Sequence, residues 1–354
     1  MRETDHLLVA YGELQELGKK CLELVGVLPD HARITTQVLL WADLRGIGTH
    51  GVERLLSYVP RLKKGLINAC PALRMEEKGE AIRLLHGDNG LGQVVGERGV
   101  REAIALAKKS GLGFVACRDS NHFGAVAPYV LMACQEKIIG IACTNAFATM
   151  APTGGLDSVV GNNPLGIGVP VEGGNHFVLD MAMSVSSRGR IRGMAAKGQS
   201  IPAGWAITRQ GEPTTDPQEA LKGLVLPVGQ HKGYGLAVAI DILCGVLTGA
   251  GFGTGVKSLF QEWNEPQHIG HLFIALDPQR FMDWESFQVR IRELYKELKS
   301  VRPIDPDTPV VVAGEMENQM EKERKSAGIP LPRVTLDKLR MLAASEYEME
   351  ISKY

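Results

Sequence analysis

The sequence predicts a mixed α/β protein without the doubly wound architecture of the common dinucleotide-binding domains. Residues 5–65 read as helices, residues 81–277 mix short apolar strands with helices, and residues 283–354 read mainly as helices again. A doubly wound sheet would instead need a regular alternation of strand and helix. We therefore expect a helical layer built from both ends of the chain and a mixed α/β middle.

The opening helices follow from apolar spacing and from one breaker. Leu8, Tyr11, Leu14, Leu17, Cys21 and Leu24 recur every three or four residues, which predicts a helix over 5–30. Pro29 ends this helix, and Asp30 is placed to cap a second one over 31–46. A third helix is predicted over 51–65.

The remaining elements are shorter and less regular. Short apolar runs predict strands at 81–87, 113–119, 138–145, 271–277 and 309–315, and helical spacing predicts helices at 93–110, 124–136, 233–248 and 283–300. Residues 150–235 are dense in Gly, Pro, Asn and Ser between short strands, which is typical of a functional loop region. The charged tail 316–354 reads as helical with a break at 329–332.

Composition excludes several functions. Lys plus Arg is 39 and Asp plus Glu is 40, so no basic field attracts nucleic acid or an anionic membrane. No apolar run reaches the roughly 18 residues of a membrane span, and the N-terminus lacks a signal peptide. The six cysteines form no CxxC pair and are expected to be reduced. We expect a cytoplasmic protein that binds a small molecule and has no metal site.

Two glycine-rich segments resemble nucleotide motifs without matching them. Gly90, Gly92 and Gly96 form GxGxxxG where the dinucleotide fingerprint needs GxGxxG, and they are read as a tight strand-to-helix turn. Residues 249–255 precede Lys257 but lack the phosphate-loop spacing. The glycines of 250–270 would allow a lid, which the sequence leaves open.

Two histidine segments could carry proton chemistry. Thr49-His50-Gly51 precedes Arg54 by one helical turn, and a guanidinium beside a titrating imidazole suits a carboxylate substrate. His122 follows a predicted strand, where side chains commonly face a pocket. A capping His50 and a locally bonded His122 are the alternative interpretations.

Two further segments could support that chemistry. Asp180 ends the apolar run FVL, where a carboxylate could orient a histidine or simply cap a turn. Lys232 lies at the start of an apolar helix, where free backbone N–H groups and an ammonium favour a phosphate. Together these groups fit a dehydrogenase of 2-hydroxy or 2-oxo acids.

At these motifs the sequence resembles the malate/L-lactate dehydrogenase family of non-Rossmann fold. The matching segments, in the family's order, are ADLRGIGTHGVER, SNHFG, TNA, GNNP, LDMAMS, IPAGWA with EPTTDP, HKGYGLA, HLFIALD and AGE. The resemblance implies a mostly antiparallel central sheet flanked by helices, a homodimer, and an active site between domains. It divides the chain into a helical domain of 1–75 and 283–354, a mixed substrate and dimer region of 76–145, and an NAD(P)-binding domain of 146–282.

The resemblance also implies residue roles. His50 matches the family's proton donor or acceptor in the S/T-H-G motif begun by Thr49, and Arg54 matches the arginine that binds the substrate carboxylate. His122 matches a histidine that some relatives are thought to use as the acid or base instead, so the choice stays open. Asp180 matches the aspartate thought to partner a catalytic histidine. The cofactor, NAD or NADP, is implied to contact Asn163, Met181, Ala182, Ser184, His231, Lys232, Gly314 and Glu315.

The sequence departs from the family pattern near the implied cofactor site. Asn162 and Met183 replace threonines, Arg190 stands where lysine is common, and Ala146 stands where serine is common. These changes leave open an inactive relative that only binds ligands. The leading hypothesis is hydride transfer between NAD(P) and malate or lactate. The alternatives are reduction of a cyclic imine or keto-sugar acid on the same fold, or a metal-dependent hydrolase using the histidines and Asp180.

Overall fold

The computed structural model describes residues 6–344 of the 354-residue chain. Its strands are β1 His6–Val9, β2 Arg74–Gly79, β3 Ile82–His86, β4 Leu112–Ser120, β5 Ile139–Thr144, β6 Ala148–Met150, β7 Val160–Gly161, β8 Leu165–Val169, β9 Phe177–Met181, β10 Ala206–Ile207, β11 Pro213–Thr214, β12 Leu224–Val225, β13 Ile269–Leu276 and β14 Ile329–Pro332. Its α-helices are α1 Tyr11–Glu23, α2 Pro29–Leu44, α3 Leu55–Lys63, α4 Gly92–Ser110, α5 Ala127–Gln135, α6 Arg188–Ala196, α7 Pro217–Lys222, α8 His231–Asp241, α9 Trp284–Lys299, α10 Glu315–Ala327 and α11 Arg333–Ala343.

The central sheet has seven strands in the order β2-β3-β4-β13-β5-β8-β9. Every neighbouring pair is antiparallel except β3 and β4. The predicted fold class, a mostly antiparallel sheet flanked by helices, is confirmed. Strands from both 76–145 and 146–282 share this sheet, so the predicted boundary at 145/146 runs through continuous hydrogen bonding.

The two faces of the sheet bury different helices because strand side chains alternate between faces. Val115, Cys117 and Phe273 pack with α4 and α5 in one core cluster. Ala116 and Leu272 point the other way and pack with α8. Each face is thus covered by helices.

The two ends of the chain meet in one helical layer. Helices α1, α2, α3 and α11 share a buried apolar cluster, which joins the first helices to the last one. Two sequence predictions are corrected here: residues 6–9 are a strand instead of the start of the first helix, and the break at 329–332 is its partner strand. Val9 pairs with Ile329 and Leu7 with Leu331, which buries Ile329 and Leu331 against the layer.

Other element predictions also need correction. Residues 309–315 form no strand; Glu315 begins α10, and its carboxylate accepts the Val312 N–H. Strand β2 was not anticipated because its residues are mostly charged and exposed. The third helix begins with two 3₁₀ turns, Gly48–His50 and Val52–Arg54. Asp30 lies inside the first turn of α2, since Leu28 is the N-cap. The predicted helical tail beyond residue 344 lies outside the described residues.

The glycine-rich motif at the start of α4 serves packing. A Cβ on Gly96 would lie 2.6 Å from Tyr129 Cε1, and one on Gly99 would lie 2.8 Å from Phe273 Cδ2. Gly92 similarly lies against the backbone of Asn121 and His122. These close approaches place α4 directly on the sheet and beside the loop that carries His122, which accounts for the glycines without a nucleotide.

Replacing Gly96 with alanine should destabilise the protein. Tyr129 is fully buried and its hydroxyl donates to Phe123 O, so it cannot yield to the new methyl group. Overpacking of this kind costs about 1–3 kcal/mol, measurable by urea unfolding. Gly12→Ala is the matched control, because Gly12 lies in α1 with open space at its Cβ and should gain up to about 1 kcal/mol. Equal stability for Gly96→Ala and the wild type would contradict this packing role.

Candidate active site

A cavity of about 400 Å³ lies at one edge of the central sheet and is called the main cavity. Strands β4, β5 and β9 end at this edge, and β8 and β13 begin there, because β13 runs antiparallel to both β4 and β5. The loops attached to these strand ends line the cavity together with the turn after α2. The topology therefore brings segments that are far apart in sequence to one place.

The turn after α2 presents His50 and Arg54 to the main cavity. Asp43, buried at the end of α2, accepts the Val52 N–H at 2.7 Å and holds this turn against the helix. Gly51 lies so close to the Asp43 carboxylate that a Cβ would overlap it, which explains the glycine after the histidine. Burial raises the pKa of Asp43 to about 7.

His50 is held as a neutral imidazole. Its Nδ1 lies 3.0 Å from Thr49 Oγ1, and its ring stacks on His122 with 5.6 Å between centroids. Burial lowers the pKa of His50 to about 4, and the nearby positive charge of Arg54 acts in the same direction. His50 can therefore accept a proton at neutral pH.

Arg54 carries a buried Nε that has no hydrogen-bond partner among the described residues. Its guanidinium lies 5.1 Å from the centre of the Phe260 ring, which supports it from one side. The side chain is half-buried, lines the main cavity and makes no hydrogen bond or ion pair with the described residues, so its planar fork is suited to a carboxylate ligand.

The loop 257–268 forms one wall of the main cavity and is tied down. Fully buried Arg61 donates to the carbonyls of Glu262 and Glu265 at 2.5 and 3.0 Å, and its guanidinium lies over Trp263. Gln267 Oε1 accepts the His122 N–H at 3.0 Å. In this structure the segment that could form a lid packs against α3 and lines the main cavity.

A second cavity of about 280 Å³ is lined partly by residues close in sequence to those of the main cavity. Ile47, Ala127 and Asp180 line it, while Thr49, Gly124 and Ser184, a few residues away in the same three segments, line the main cavity. Arg45 also lines the second cavity and has a buried Nη1 without a partner among the described residues. The Arg45 guanidinium is otherwise engaged, since it pairs with Glu321 at 2.7 Å and donates to Asn318 Oδ1.

The structure brings five of the predicted site residues together. Thr49, His50, Arg54, His122 and Ser184 all line the main cavity. They come from three separate segments of the chain. Three of the predicted groups with proton or anion chemistry, the two imidazoles and the guanidinium, therefore line one cavity.

Two predicted residues have structural partners instead. Asp180 accepts the N–H groups of Val126 and Ala127 at 3.0 and 2.8 Å, so its carboxylate caps α5, and this replaces the expected pairing with a catalytic histidine. Burial raises the pKa of Asp180 to about 6. Asn163 uses both ends of its buried amide, accepting from Ala146 N and donating to Ala237 O, so it supports the cavity wall from behind.

The other predicted cofactor residues lie outside the main cavity. Gly314 lines the second cavity, while Glu315 pairs with Lys299. His231 and Lys232 are exposed at the start of α8. Met181 and Ala182 are half-buried between the capping Asp180 and Ser184.

Several residues in or behind the main cavity were not predicted from the sequence. Arg188 and Arg192 line the main cavity from α6, and their spacing of four places them on one helix face. The alternating arginines of SSRGRIRG could have indicated this. Tyr58 and Gln93, which contact His122 from behind, carried no local signal because they read as ordinary helix residues.

Within residues 6–344 no cluster of His, Cys, Asp and Glu has the arrangement of a metal site. The same residues include no helix long and apolar enough to cross a membrane.

Comparison with known proteins places this architecture. The sequence profile described as malate/L-lactate dehydrogenase matches residues 9–340. A malate/(S)-sulfolactate dehydrogenase from Methanothermus fervidus is 37% identical over 349 residues, 98% of this chain and 100% of that protein. Other relatives are a ureidoglycolate dehydrogenase (NAD(+)) from Escherichia coli, 35% identical over 92% of this chain, and a (2R)-3-sulfolactate dehydrogenase (NADP(+)) from Chromohalobacter salexigens, 33% identical over 96%.

Solved structures agree with these sequence relatives. Malate dehydrogenase from Pyrococcus horikoshii superposes with a TM-score of 0.89 at 34% identity, covering 99% of this chain and 98% of that one. Sulfolactate dehydrogenase from Methanocaldococcus jannaschii gives 0.90 at 36% identity, covering 98% and 99%. The Δ1-piperideine-2-carboxylate reductase from Pseudomonas syringae gives 0.85 at 26% identity, covering 95% and 99%.

Proposed function

The chain belongs to the malate/L-lactate dehydrogenase family, and from this premise we propose that it is an NAD(P)-dependent oxidoreductase of small 2-hydroxy and 2-oxo acids. The observation that carries the proposal is the convergence of His50, His122 and Arg54 on one cavity. A carboxylate fork beside two imidazoles supplies what oxidation of a 2-hydroxy acid needs from the protein, namely anchoring and proton transfer.

The residues present fit a dinucleotide. The main cavity offers polar groups beside His50, and the second cavity is lined by Arg45, which is paired with Glu321 and could in addition contact a polar group of the cofactor. Gly314 and Ser184 would contact the cofactor from the two cavities. When bound, NAD(P) accepts the hydride on oxidation and returns it on reduction.

The catalytic roles follow from the geometry. Arg54 would hold the C1 carboxylate with its guanidinium, and neutral His50 would take the hydroxyl proton as the hydride leaves C2. Asp180 would have a structural role, because it caps α5 and so holds the segment that follows the His122 loop. The proton-transfer roles therefore fall to the two histidines.

The substrate is proposed to be dianionic, as malate and sulfolactate are. Arg192 lines the main cavity and makes no hydrogen bond or ion pair with the described residues, whereas Arg188 donates to the carbonyls of Leu221 and Gly223. A second charged group at the far end of the substrate could pair with Arg192, while lactate has no group to use it.

Replacing Arg192 with methionine should therefore separate the substrates. We expect wild-type protein with NADH or NADPH to reduce oxaloacetate or sulfopyruvate more efficiently than pyruvate, followed by nicotinamide absorbance. A charge-assisted hydrogen bond is worth roughly 10–100-fold, so kcat/KM of Arg192→Met should fall by that factor for the dianions and little for pyruvate.

Arg190→Met is the matched control, because Arg190 lies on the same helix but stacks on Trp205 at 4.9 Å outside the cavity. An equal loss for pyruvate and oxaloacetate would remove the second-anion role. Turnover of Δ1-piperideine-2-carboxylate with none of any 2-oxo acid would instead favour imine reduction.

The pH dependence should report His50. Only the neutral imidazole accepts a proton, so oxidation should stay active down to low pH and fall as pH drops through about 4, well below the ordinary histidine range. His50→Ala should lower kcat by roughly 10²–10⁴-fold and retain cofactor binding measured by fluorescence titration. Circular dichroism at each pH separates loss of the base from unfolding. An acidic limb near 6.5 that survives in His50→Ala would contradict this assignment.

The proposed assembly is a homodimer. Helix α8, the segment Ile242–Val246 and the residues just after it expose apolar side chains, with Ile242 50%, Val246 55% and Leu247 60% exposed. Contiguous apolar surface of this kind marks association sites.

Sedimentation should therefore give twice the 38.4 kDa chain mass. Leu247→Glu should shift the protein towards monomer, while Leu8→Glu, exposed elsewhere on β1, should not. A monomeric wild type at micromolar concentration would exclude this face as a dimer interface.

A further inference from the structure

The back of His122 is occupied by two buried side chains that the mechanism above does not use. Tyr58, from α3, and Gln93, from α4, are 1% and 0% exposed and do not line the main cavity. Tyr58 Oη lies 2.6 Å from His122 Nδ1, and Gln93 Nε2 lies 3.0 Å from Tyr58 Oη. These two hydrogen bonds connect Gln93 in α4, through the Tyr58 hydroxyl, to the ring of His122.

The orientation of Gln93 is set by a carbonyl group. Its amide nitrogen lies 3.4 Å from His122 O, and a carbonyl oxygen can only accept. The opposite amide orientation would place two oxygens against each other there and leave a buried NH₂ group in place of the unpartnered oxygen. Gln93 therefore presents N–H to Tyr58 Oη, which accepts.

The Tyr58 hydroxyl hydrogen then has one acceptor within reach, His122 Nδ1. The backbone N–H of Gly124 also points to Nδ1, at 3.4 Å. A proton on Nδ1 would face both donors and would leave the buried Tyr58 hydroxyl hydrogen without a partner, at a cost comparable to a lost hydrogen bond. Only a bare Nδ1 gives both the Tyr58 hydroxyl and the Gly124 N–H an acceptor.

We propose that Tyr58, oriented by Gln93, is a positioning residue that holds His122 as a neutral ring with its proton on Nε2, so that His122 donates a hydrogen bond to the substrate C2 oxygen and His50 alone exchanges the proton. This assignment rests on the proposed function. It goes further by dividing the work between two histidines that sequence reasoning could not tell apart.

The contrast with His50 supports this division. His50 Nδ1 lies beside the Thr49 hydroxyl, which can accept a hydrogen bond from Nδ1–H, so that Nε2 is the bare acceptor. In the oxidation direction the substrate hydroxyl would give its proton to His50 Nε2 while C2 loses its hydrogen as hydride and a C=O bond forms; bound NAD(P) would supply the hydride acceptor. His122 Nε2–H stabilises the oxygen throughout and keeps its proton, as an uncharged imidazole electrophile does in other enzymes.

The ring assignment is tested without any activity measurement. Protein labelled with ¹⁵N in its histidines is examined at pH 7.5 by long-range ¹H–¹⁵N correlation, and the His122 signals are identified by their loss in His122→Gln. We expect a bare Nδ1 and a protonated Nε2 in the wild type, and a mixture of tautomers in Tyr58→Phe. A wild-type ring with its proton on Nδ1 overturns the proposal.

The division of labour is tested by substituting each histidine with glutamine, whose amide can donate a hydrogen bond but cannot accept a transferred proton. His122→Gln should keep kcat within about 10–30-fold of the wild type, whereas His50→Gln should lose roughly 10²–10⁴-fold. Tyr58→Phe should lower kcat about tenfold with little change in KM, the effect of one neutral hydrogen bond.

The outcomes separate this inference from the proposed function. A larger loss for His122→Gln than for His50→Gln overturns the division of labour even if the enzyme is an active dehydrogenase. Absence of turnover with every 2-oxo acid, together with the expected ring protonation, supports the Tyr58 assignment and counts against the proposed reaction. If Tyr58→Phe does not fold, the wild-type spectrum and the two glutamine variants still decide the question.

Discussion

The site depends on the placement of β13 between β4 and β5. Because this strand is inserted from late in the chain, its entry loop meets the ends of two strands formed more than a hundred residues earlier. Buried His271 secures the junction: its two ring nitrogens lie 2.7 Å from Ser120 Oγ and Thr144 Oγ1, and its ring stacks on Phe123. Burial lowers the pKa of His271 to about 3, so this bridge stays uncharged. The loop carrying His122 is therefore supported by a hydrogen-bonded and stacked side chain beneath it.

Desolvation by burial is the second constraint, because it sets the charge state of the histidines. His50, His122 and His271 all have a lowered pKa because the surrounding protein disfavours their charged forms, and Arg54 reinforces this for the first two. The guanidinium of Arg54 can therefore bind an anion in a cavity whose imidazoles are already neutral. His50 does not have to lose a proton before it can act as a base. The same burial makes a charge-assisted contact to a carboxylate stronger than it would be in water.

Sequence reasoning anticipated features encoded in local spacing or in motifs. The fold class, the helices α4 and α9 and the cluster of Thr49, His50, Arg54 and His122 follow from such signals. It missed features that depend on distant partners. Residues 6–9 and 329–332 become strands only because they pair with each other, and Asp180 finds two helix N–H groups that no local pattern reveals. Tyr58 and Gln93 were overlooked for the same reason, since their meaning comes from His122, which lies 64 and 29 residues away.

The positions of the departures from the family pattern weaken the argument that this protein is an inactive relative. Met183 is fully buried in the core beneath α8 and lines neither cavity, so its lost hydroxyl removes no contact from the cavity lining. Arg190 points at Trp205. Only Asn162 and Ala146 line the main cavity, and Ala146 is held through its backbone N–H by Asn163 whatever its side chain. An inactive relative would be expected to have lost groups with proton or anion chemistry. Here His50, His122 and Arg54 remain assembled, with Arg54 Nε buried and still unused, which favours a working enzyme over a binding protein.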